Sequence, residues 1–166
     1  MAFNFIELDK TNLPKTKGMR VDGHRFYNIN GTNYPSVTTV LGIRKTEQLK
    51  EWREKIGENV ANWEMGRAAR RGKSFHTLVE QYLKGETPSI RDVLPLGLFK
   101  LMKPYIDQIN NIHLLEAIMY SPKLTIAGQV DCVAEYNGKL SVIDFKTANK
   151  ERQESWIENY FLQTTA

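Results

Sequence analysis

The feature that most constrains this chain is an Asn-Gly pair at residues 137 and 138. Apolar runs flank the pair on both sides, which is the strongest short signal for a β-hairpin with a two-residue type I′ turn. We therefore predict strands from about Thr125 to Tyr136 and from Lys139 to about Ala148. Because the turn has two residues, it also fixes the register of the two strands.

The predicted register brings two carboxylates together. With the turn at 137 and 138, Asp131 lies directly opposite Asp144, and Gln129 lies opposite Lys146. Side chains alternate along a strand, so Asp144 and Lys146 share one face with Asp131. Facing like charges destabilise a sheet, and an unpaired buried charge is costly. A hard divalent cation with oxygen ligands, such as Mg²⁺, would relieve this repulsion.

The residues around the hairpin resemble a known nuclease pattern. GQVD at 128–131, followed by a hairpin and by VIDFK at 142–146, is similar to the catalytic signature of the PD-(D/E)xK nuclease superfamily. The segments PSVTTVL at 35–41, RGKSFH at 71–76 and DFKT at 144–147 resemble its RecB-like branch, most closely the mitochondrial genome maintenance exonucleases and related phage exonucleases. The resemblance covers most of the chain from residue 34 to residue 163.

This resemblance implies an α/β fold with a restriction-endonuclease-like core, in which helices flank a small mixed sheet. The core order of the superfamily is αβββαβ, and its final strand is missing from the sequence after the C-terminal helix. Three explanations stay open: an incomplete chain, a partner that completes the sheet, or a variant that lacks the strand. We expect residues 1–22 to form an irregular basic arm and residues 23–166 to form one nuclease-like domain.

The resemblance also implies an activity: metal-dependent hydrolysis of DNA phosphodiester bonds from single-stranded ends, in replication, repair or recombination. The implied cofactor is Mg²⁺ or Mn²⁺, and the implied partner is DNA. Two alternatives remain for the same residues, a DNA-binding module with an inactive or incomplete nuclease site and a structure-specific endonuclease. A protein whose carboxylate cluster has no function is a further possibility.

By the same resemblance, His76 and the main-chain carbonyl of Phe145 join Asp131 and Asp144 as metal ligands. Lys146 would position the attacking water or stabilise charge that develops on the phosphate. Gln163 falls in a region similar to the QxxxY segment of the RecB-like branch, which implies that it orients the substrate or a water molecule. Without the resemblance, His76 would be interpreted as a packing or surface residue, and Gln163 as a glutamine on a helix surface.

Two further acidic residues lie near these positions in the sequence. Glu80 follows His76 by four residues and shares its helix face, so it either accepts a hydrogen bond from the imidazole or is an exposed carboxylate. Glu116 lies in a predicted strand from His113 to Ser121. An acidic residue in this region joins the centre in some related nucleases, but we expect Glu116 to be an edge carboxylate.

Two segments are candidates for contact with DNA. The segment that contains Ser36 and Thr38 contacts DNA in the family that it resembles, although a hydroxyl-rich helix cap explains the same residues equally well. A basic cluster before His76 would meet a phosphate backbone, with a solvated helix face as the ordinary alternative, and consists of Arg67, Arg70, Arg71 and Lys73. Trp52 and Trp63 could stack on bases, but we expect core packing.

The remaining patterns predict conventional elements. We expect a hairpin at Asn30-Gly31, a helix capped at Thr46 and ending near Ile56, and a long helix from Glu58 to Lys84 with Gly85 as its left-handed cap. We also expect a helix from Leu96 to Asn111 kinked at Pro104, and a C-terminal helix over Glu151 to Thr165.

Composition adds limits and little specificity. A chain of 166 residues with 41% hydrophobic residues is the size of one domain. Its net charge of +4 agrees only weakly with an anionic partner. The single cysteine, Cys132, excludes a disulfide framework and a thiolate zinc site, and we expect a buried thiol. With neither a secretory signal nor a membrane span, we expect a cytoplasmic protein, in the host cytoplasm if phage-encoded.

Overall fold

The structure, a computed structural model, describes residues 3–9, 11–43, 46–149 and 154–166. A small antiparallel sheet comes first, with strands β1 (Gly18–Val21), β2 (His24–Ile29) and β3 (Thr32–Pro35) in sequence order. The predicted hairpin is confirmed, because Ile29 pairs with Thr32 and both turn residues between them have positive φ angles of 52° and 82°. This backbone is the one that a type I′ turn requires.

Part of the expected irregular arm is regular structure. A second two-residue turn at Asp22-Gly23 pairs Val21 with His24, so β1 lies within the segment predicted to be irregular. Nearer the N-terminus, the amide of Ile6 donates to the carbonyl of Ile112 at 2.8 Å. Residues 5–6 and 18–21 therefore pair with other strands, and the prediction of an irregular arm was wrong for these residues.

The helices are α1 (Val37–Gly42), α2 (Thr46–Ile56), α3 (Glu58–Leu83), α4 (Val93–Ile106) and α5 (Glu154–Thr165). α1 follows Ser36 directly, so this segment forms the capped helix that the helix-cap alternative expected. The predicted stop of α3 is confirmed: Gly85 has φ 72°, its amide donates to Tyr82, and the amide of Glu86 donates to Gln81. This is the hydrogen-bond pattern of a Schellman motif. The first predicted residues of α5, 151–153, lie outside the described residues.

The helix predicted from Leu96 to Asn111 begins and ends earlier than expected. Pro104 lies in the last turn of α4, and the chain enters a strand at Ile109. Ile109 and Ile112 are 3% and 0% exposed. Alternation along a regular strand would put them on opposite faces, but the register with β5 shifts between Asn110 and Leu114, where Asn111 has φ 45°, and both side chains enter the core. This burial outweighs the helical pattern, because tertiary packing overrides local propensity.

The main sheet contains β4 (Ile109–Ser121), β5 (Ile126–Tyr136) and β6 (Lys139–Ile143), all antiparallel and in sequence order. The predicted register is confirmed at Tyr136 and Lys139. The second strand is shorter than predicted, because pairing ends where Cys132 meets Ile143. The ladder therefore does not reach the predicted pairs Asp131–Asp144 and Gln129–Lys146, and both expectations of direct cross-strand pairing were wrong.

The core lies between this sheet and the helices α3 and α4. Its largest fully buried side chains include Leu78, Leu83, Ile106 and Ile112. Cys132 is fully buried in the same cluster, as predicted, and burial raises the pKa of its thiol to about 12. A smaller cluster of Tyr27, Ile29 and Ala127 joins the N-terminal sheet to β5.

The chain is thus a mixed α/β protein with two small antiparallel sheets and flanking helices. The more specific restriction-endonuclease-like core stays a prediction. Among the helices that the structure describes, none combines the length and the apolar character that crossing a membrane requires.

Candidate active site

A cleft of about 670 Å³ opens between the two sheets, α3 and α5. The predicted catalytic and metal-ligating side chains all line it: His76 of α3, Asp131 of β5, Asp144 and Lys146 after β6, and Gln163 of α5. Glu116 of β4 also lines it. The fold therefore brings side chains from five segments, between residue 76 and residue 163 of the sequence, to one place.

Three of these side chains lie close enough to share one metal ion. One ligand atom each from His76, Glu116 and Asp131 lies within 4.8 Å of the other two. Nδ1 of His76 is 3.5 Å from Oδ2 of Asp131, and Nε2 of His76 is 2.7 Å from the carbonyl oxygen of Phe145. Two of the predicted ligands, His76 and Asp131, thus lie together with the predicted Phe145 carbonyl beside them.

Asp131 also explains why β6 ends where it does. Its Oδ2 accepts a hydrogen bond of 2.8 Å from the main-chain amide of Phe145. A side chain of β5 thereby takes the amide that would otherwise bond to the backbone of the neighbouring strand. The chain can then leave the sheet at Asp144 and carry Lys146 into the cleft.

Glu116 is the site residue that sequence reasoning missed. We expected an edge carboxylate, but Glu116 lies in the three-residue cluster and accepts a hydrogen bond of 2.7 Å from Gln129. It falls between the pairs Leu115–Cys132 and Ala117–Val130, which places it across from Asp131. Its φ of 50° is unusual for a residue other than glycine and interrupts the ladder at the site.

The electrostatics of the cluster favour a bound cation. Burial raises the pKa of Glu116 to about 7, and the negative charges of Asp131 and Glu80 add to this effect. Burial also raises the pKa of Asp131, and Asp144 adds to the shift, while His76 opposes it. Both carboxyl groups therefore resist ionisation at this place, and a positive charge between them would remove that resistance.

Asp144 holds a different position in the site. Its carboxylate accepts hydrogen bonds of 2.6 Å from Nζ of Lys146 and 3.0 Å from Nε2 of Gln163. Nζ of Lys146 also lies 5.6 Å from the centre of the Tyr160 ring. Of the residues that the structure describes, Asp144 is outside the three-residue cluster, and its role as a metal ligand stays a prediction.

Glu80 does not accept a hydrogen bond from the imidazole of His76. Its carboxylate pairs with Lys84 at 2.6 Å, while the imidazole contacts Phe145 and Asp131. His76 and Lys84 both lie four residues from Glu80 on this face, but both ring nitrogens of His76 face Phe145 and Asp131, and the ammonium of Lys84 is the partner of the Glu80 carboxylate. Glu80 still lines the cleft and acts on Glu116 through its charge.

Four of the six predicted DNA-contact residues are exposed, and two, Ser36 and Arg71, are buried. Thr38 and Lys73 line the cleft, and Arg67 and Arg70 are exposed on α3. Ser36 is only 2% exposed, and its hydroxyl caps α1 by accepting from the amide of Thr39 at 3.0 Å, so the helix-cap alternative describes it better.

Arg71 departs from the surface position predicted for it. It is only 7% exposed, and its guanidinium donates to the side chain of Asn149. One helix position after Arg70, it turns towards the buried side of α3, where it contacts the segment that follows Lys146. Burial keeps it from meeting a phosphate backbone in this arrangement.

No protein-family model matches the chain. The chain is 33% identical over 129 residues to mitochondrial genome maintenance exonuclease 1 of Homo sapiens. This match covers 71% of this chain and 38% of that protein. It is 30% identical over 128 residues to the Mus musculus protein of the same name and 31% identical over 137 residues to that of Xenopus tropicalis. The chain has exonuclease homologues.

These matches cover 71% to 74% of this chain but 38% of each curated relative. They support a relationship to an exonuclease family, in agreement with the family that the sequence motifs resemble. Membership of the PD-(D/E)xK superfamily is a finer statement and stays a prediction.

Proposed function

We propose that this chain is a metal-dependent DNA exonuclease domain of the PD-(D/E)xK type. The observation that carries the proposal is the convergence of His76, Glu116 and Asp131 in the cleft that also holds the Lys146–Asp144 pair. The exonuclease names of the homologues support the same assignment.

The residues of the cluster fit a hard divalent cation. Two carboxylates and one imidazole provide an oxygen-rich set of donors, which suits Mg²⁺ or Mn²⁺ better than a soft metal. The raised pKa values of Glu116 and Asp131 point the same way, because a cation would favour their ionised forms. His76, Glu116 and Asp131 would hold the ion, with Asp144 and the Phe145 carbonyl as the further predicted ligands.

When bound, a divalent cation supplies a Lewis acid that lowers the pKa of water and neutralises negative charge on the scissile phosphate. Lys146 adds a second positive charge, fixed beside Asp144. Its ammonium would donate a hydrogen bond to the attacking water or to a phosphate oxygen that gains charge. Gln163 donates to the same Asp144 carboxylate, which supports the position of the pair from α5.

The remaining walls of the cleft suit a nucleic acid strand. Thr38 and Lys73 line it, and a hydroxyl and an ammonium can both donate to phosphate oxygens. We further propose that the substrate is a single-stranded DNA end and that the domain acts in replication, repair or recombination, in a cellular or a phage setting.

Digestion of labelled oligonucleotides tests the proposal. Linear single strands with free ends should shorten progressively when the purified chain and Mg²⁺ or Mn²⁺ are present, and should stay intact with a chelator. Strands blocked at both ends and circular single strands should survive. An Asp131→Asn variant serves as the control for contaminating nucleases.

The other outcomes identify the alternatives. Cleavage of circular strands would show an endonuclease instead. Tight DNA binding without cleavage, under either metal, would favour a DNA-binding module with an inactive site.

A further inference from the structure

A row of exposed basic residues leads away from the cleft along α3. Arg67, Arg70 and Lys73 are spaced three residues apart and precede His76 at the same interval, and all three are exposed. In an α-helix each such step advances about 4.5 Å along the axis and turns by about 60°. We call these three residues the basic ridge, and it crosses the solvent side of α3 obliquely from the metal cluster.

The basic ridge ends at an exposed tryptophan. Trp63 is 55% exposed, whereas we expected it in the core. The guanidinium carbon of Arg67 lies 4.9 Å from the centre of the Trp63 ring, which is cation–π distance. Tryptophan is mostly buried in folded proteins, so this exposed ring with a guanidinium on one side needs an explanation other than core packing.

The charge of the basic ridge is little compensated. Arg67 has an acidic neighbour in Glu64 at 3.9 Å, near the outer limit for an ion pair. Within the described part of the chain, neither Arg70 nor Lys73 is in an ion pair. Three exposed cations in a row are complementary to the regularly spaced negative charges of a phosphate backbone.

An aromatic ring beside a basic row selects among anionic polymers. Unpaired bases stack on tryptophan and on guanidinium planes, and this stacking tolerates any base sequence. A duplex keeps its bases paired and inside, so it would use the basic ridge but leave the Trp63 ring unused. The combination therefore fits a single strand better than a duplex.

We propose that Trp63 and Arg67 form a base-stacking platform for single-stranded DNA, and that the basic ridge guides the strand between this platform and the cleft. The proposal deepens the proposed function, on which it rests for the identity of the ligand. Thirteen residues of helix separate Trp63 from His76, or roughly 20 Å along the axis. This axial distance matches about six stacked nucleotides at ~3.4 Å each, and a strand must be long enough to cover it before it can occupy both sites.

Binding measured without catalysis tests the platform directly. With chelator present, we expect oligothymidine to quench tryptophan fluorescence of the full chain, and Trp63→Phe to remove most of this quenching while it keeps the affinity. Trp63→Ala should weaken binding by about tenfold, because an aromatic side chain contributes an effect of this order for each stacked base. A duplex of the same length should bind equally well to both variants.

A matched control is available on α4. Leu101 is 73% exposed and lies on a different helix from the basic ridge, so Leu101→Ala should leave affinity unchanged. Since Trp63 is also exposed, both variants should keep the wild-type melting temperature. Equal affinity of wild type and Trp63→Ala for oligothymidine would overturn the platform, and so would an equal loss of duplex binding.

Cleavage separates this proposal from the proposed function. With Mg²⁺, Trp63→Ala should raise KM for long single strands about tenfold and leave kcat unchanged, and it should not affect strands too short to reach the platform. Cleavage by both proteins with the same KM would retain the nuclease and reject the platform. Binding that depends on Trp63, without cleavage by the wild type, would retain the platform and reject the nuclease.

Discussion

Lys146 is restrained on two sides by residues of its own site. Its Nζ lies 2.5 Å and 2.6 Å from the two carboxylate oxygens of Asp144, and the Tyr160 ring lies on another side. A lysine held in this way loses less side-chain entropy when it meets an anion than a freely rotating lysine does. The arrangement suits a residue whose charge must already be in place during the reaction.

We expect Lys146→Ala to lower kcat for labelled single-stranded DNA by at least ~10²-fold, because the variant loses a positioned charge in the transition state. KM and the melting temperature should change little, since Lys146 is exposed. Single-turnover cleavage assays and thermal denaturation measure the two effects.

Lys103→Ala is a close structural control for that experiment. Lys103 also pairs with an aspartate, Asp107, at 2.7 Å and lies 4.9 Å from a tyrosine ring, but it lies on α4 outside the cleft. The Lys103→Ala variant should cleave labelled single-stranded DNA at the wild-type rate. A Lys146→Ala variant with the rate of Lys103→Ala would contradict the catalytic role.

Glu116 makes stability depend on pH. Its pKa is raised from 4.5 to about 7, so the folded state binds a proton that the unfolded state has released over this range. Stability should therefore fall as the pH rises from about 4.5 to about 7 in the absence of divalent metal. Glu116→Gln should melt at a higher temperature than wild type above pH 7, with the difference lost near pH 4.5.

Thermal denaturation in chelator at a series of pH values measures this prediction. Glu135→Gln is a control on the neighbouring strand, because Glu135 accepts from Asn111 and lies outside the cluster. A melting temperature of Glu116→Gln that follows the wild type at every pH would show that the carboxyl group is not under electrostatic stress.

At the scale of elements, short local signals set where strands and helices stop. Asn137 and Gly138 have φ angles of 50° and 74°, the left-handed pair that a type I′ turn needs, and they align β5 with β6. The Schellman motif at Gly85 ends α3, the helix that carries His76. Both elements are therefore placed by residues whose backbone conformation is special.

Two glycine substitutions should change stability in opposite directions. Gly85→Ala should lower the free energy of unfolding by about 1 kcal/mol, because φ 72° is unfavourable for alanine. Gly97→Ala should raise it by ~0.5 to 1 kcal/mol, because Gly97 lies within α4 and an added methyl group meets nothing within 4 Å. Urea denaturation measures both, and equal signs would contradict this reading of the two backbones.

At the scale of the whole molecule, the cleft depends on the contact between the two sheets. Ser36 bridges to Ala127 of β5, and the rings of Tyr34 and Tyr120 meet edge to face with centres 5.4 Å apart. These contacts place the N-terminal sheet and α1 across from the metal cluster. The cluster itself joins α3, β4 and β5 through His76, Glu116 and Asp131, so an ion bound there should stabilise the folded domain.

We expect saturating Mg²⁺ or Mn²⁺ to raise the melting temperature of the wild type, because an ion that binds only the folded state adds about 2.7 kcal/mol at a hundred times its Kd. Asp131→Asn should lose most of this gain, since it removes one charged ligand of the cluster. Differential scanning calorimetry with and without metal measures the effect. An equal gain in both proteins would place the ion elsewhere.

The residues themselves determined the hairpin of β5 and β6, the end of α3, the buried Cys132 and the presence of Asp131, Asp144 and Lys146 at one end of the sheet. Each depends on interactions between residues close in sequence or on simple alternation along a strand. Such signals can be recognised without knowing what packs against them.

Only the tertiary structure decided that Glu116 joins the site, that Arg71 is buried and that Trp63 is exposed. The link between β4 and β5 lacks a two-residue turn signal, so the sequence left the register of Glu116 against Asp131 open. Whether a helix face is buried depends on which distant elements cover it. Local patterns set the conformation of the backbone, and packing between remote segments decides which side chains meet.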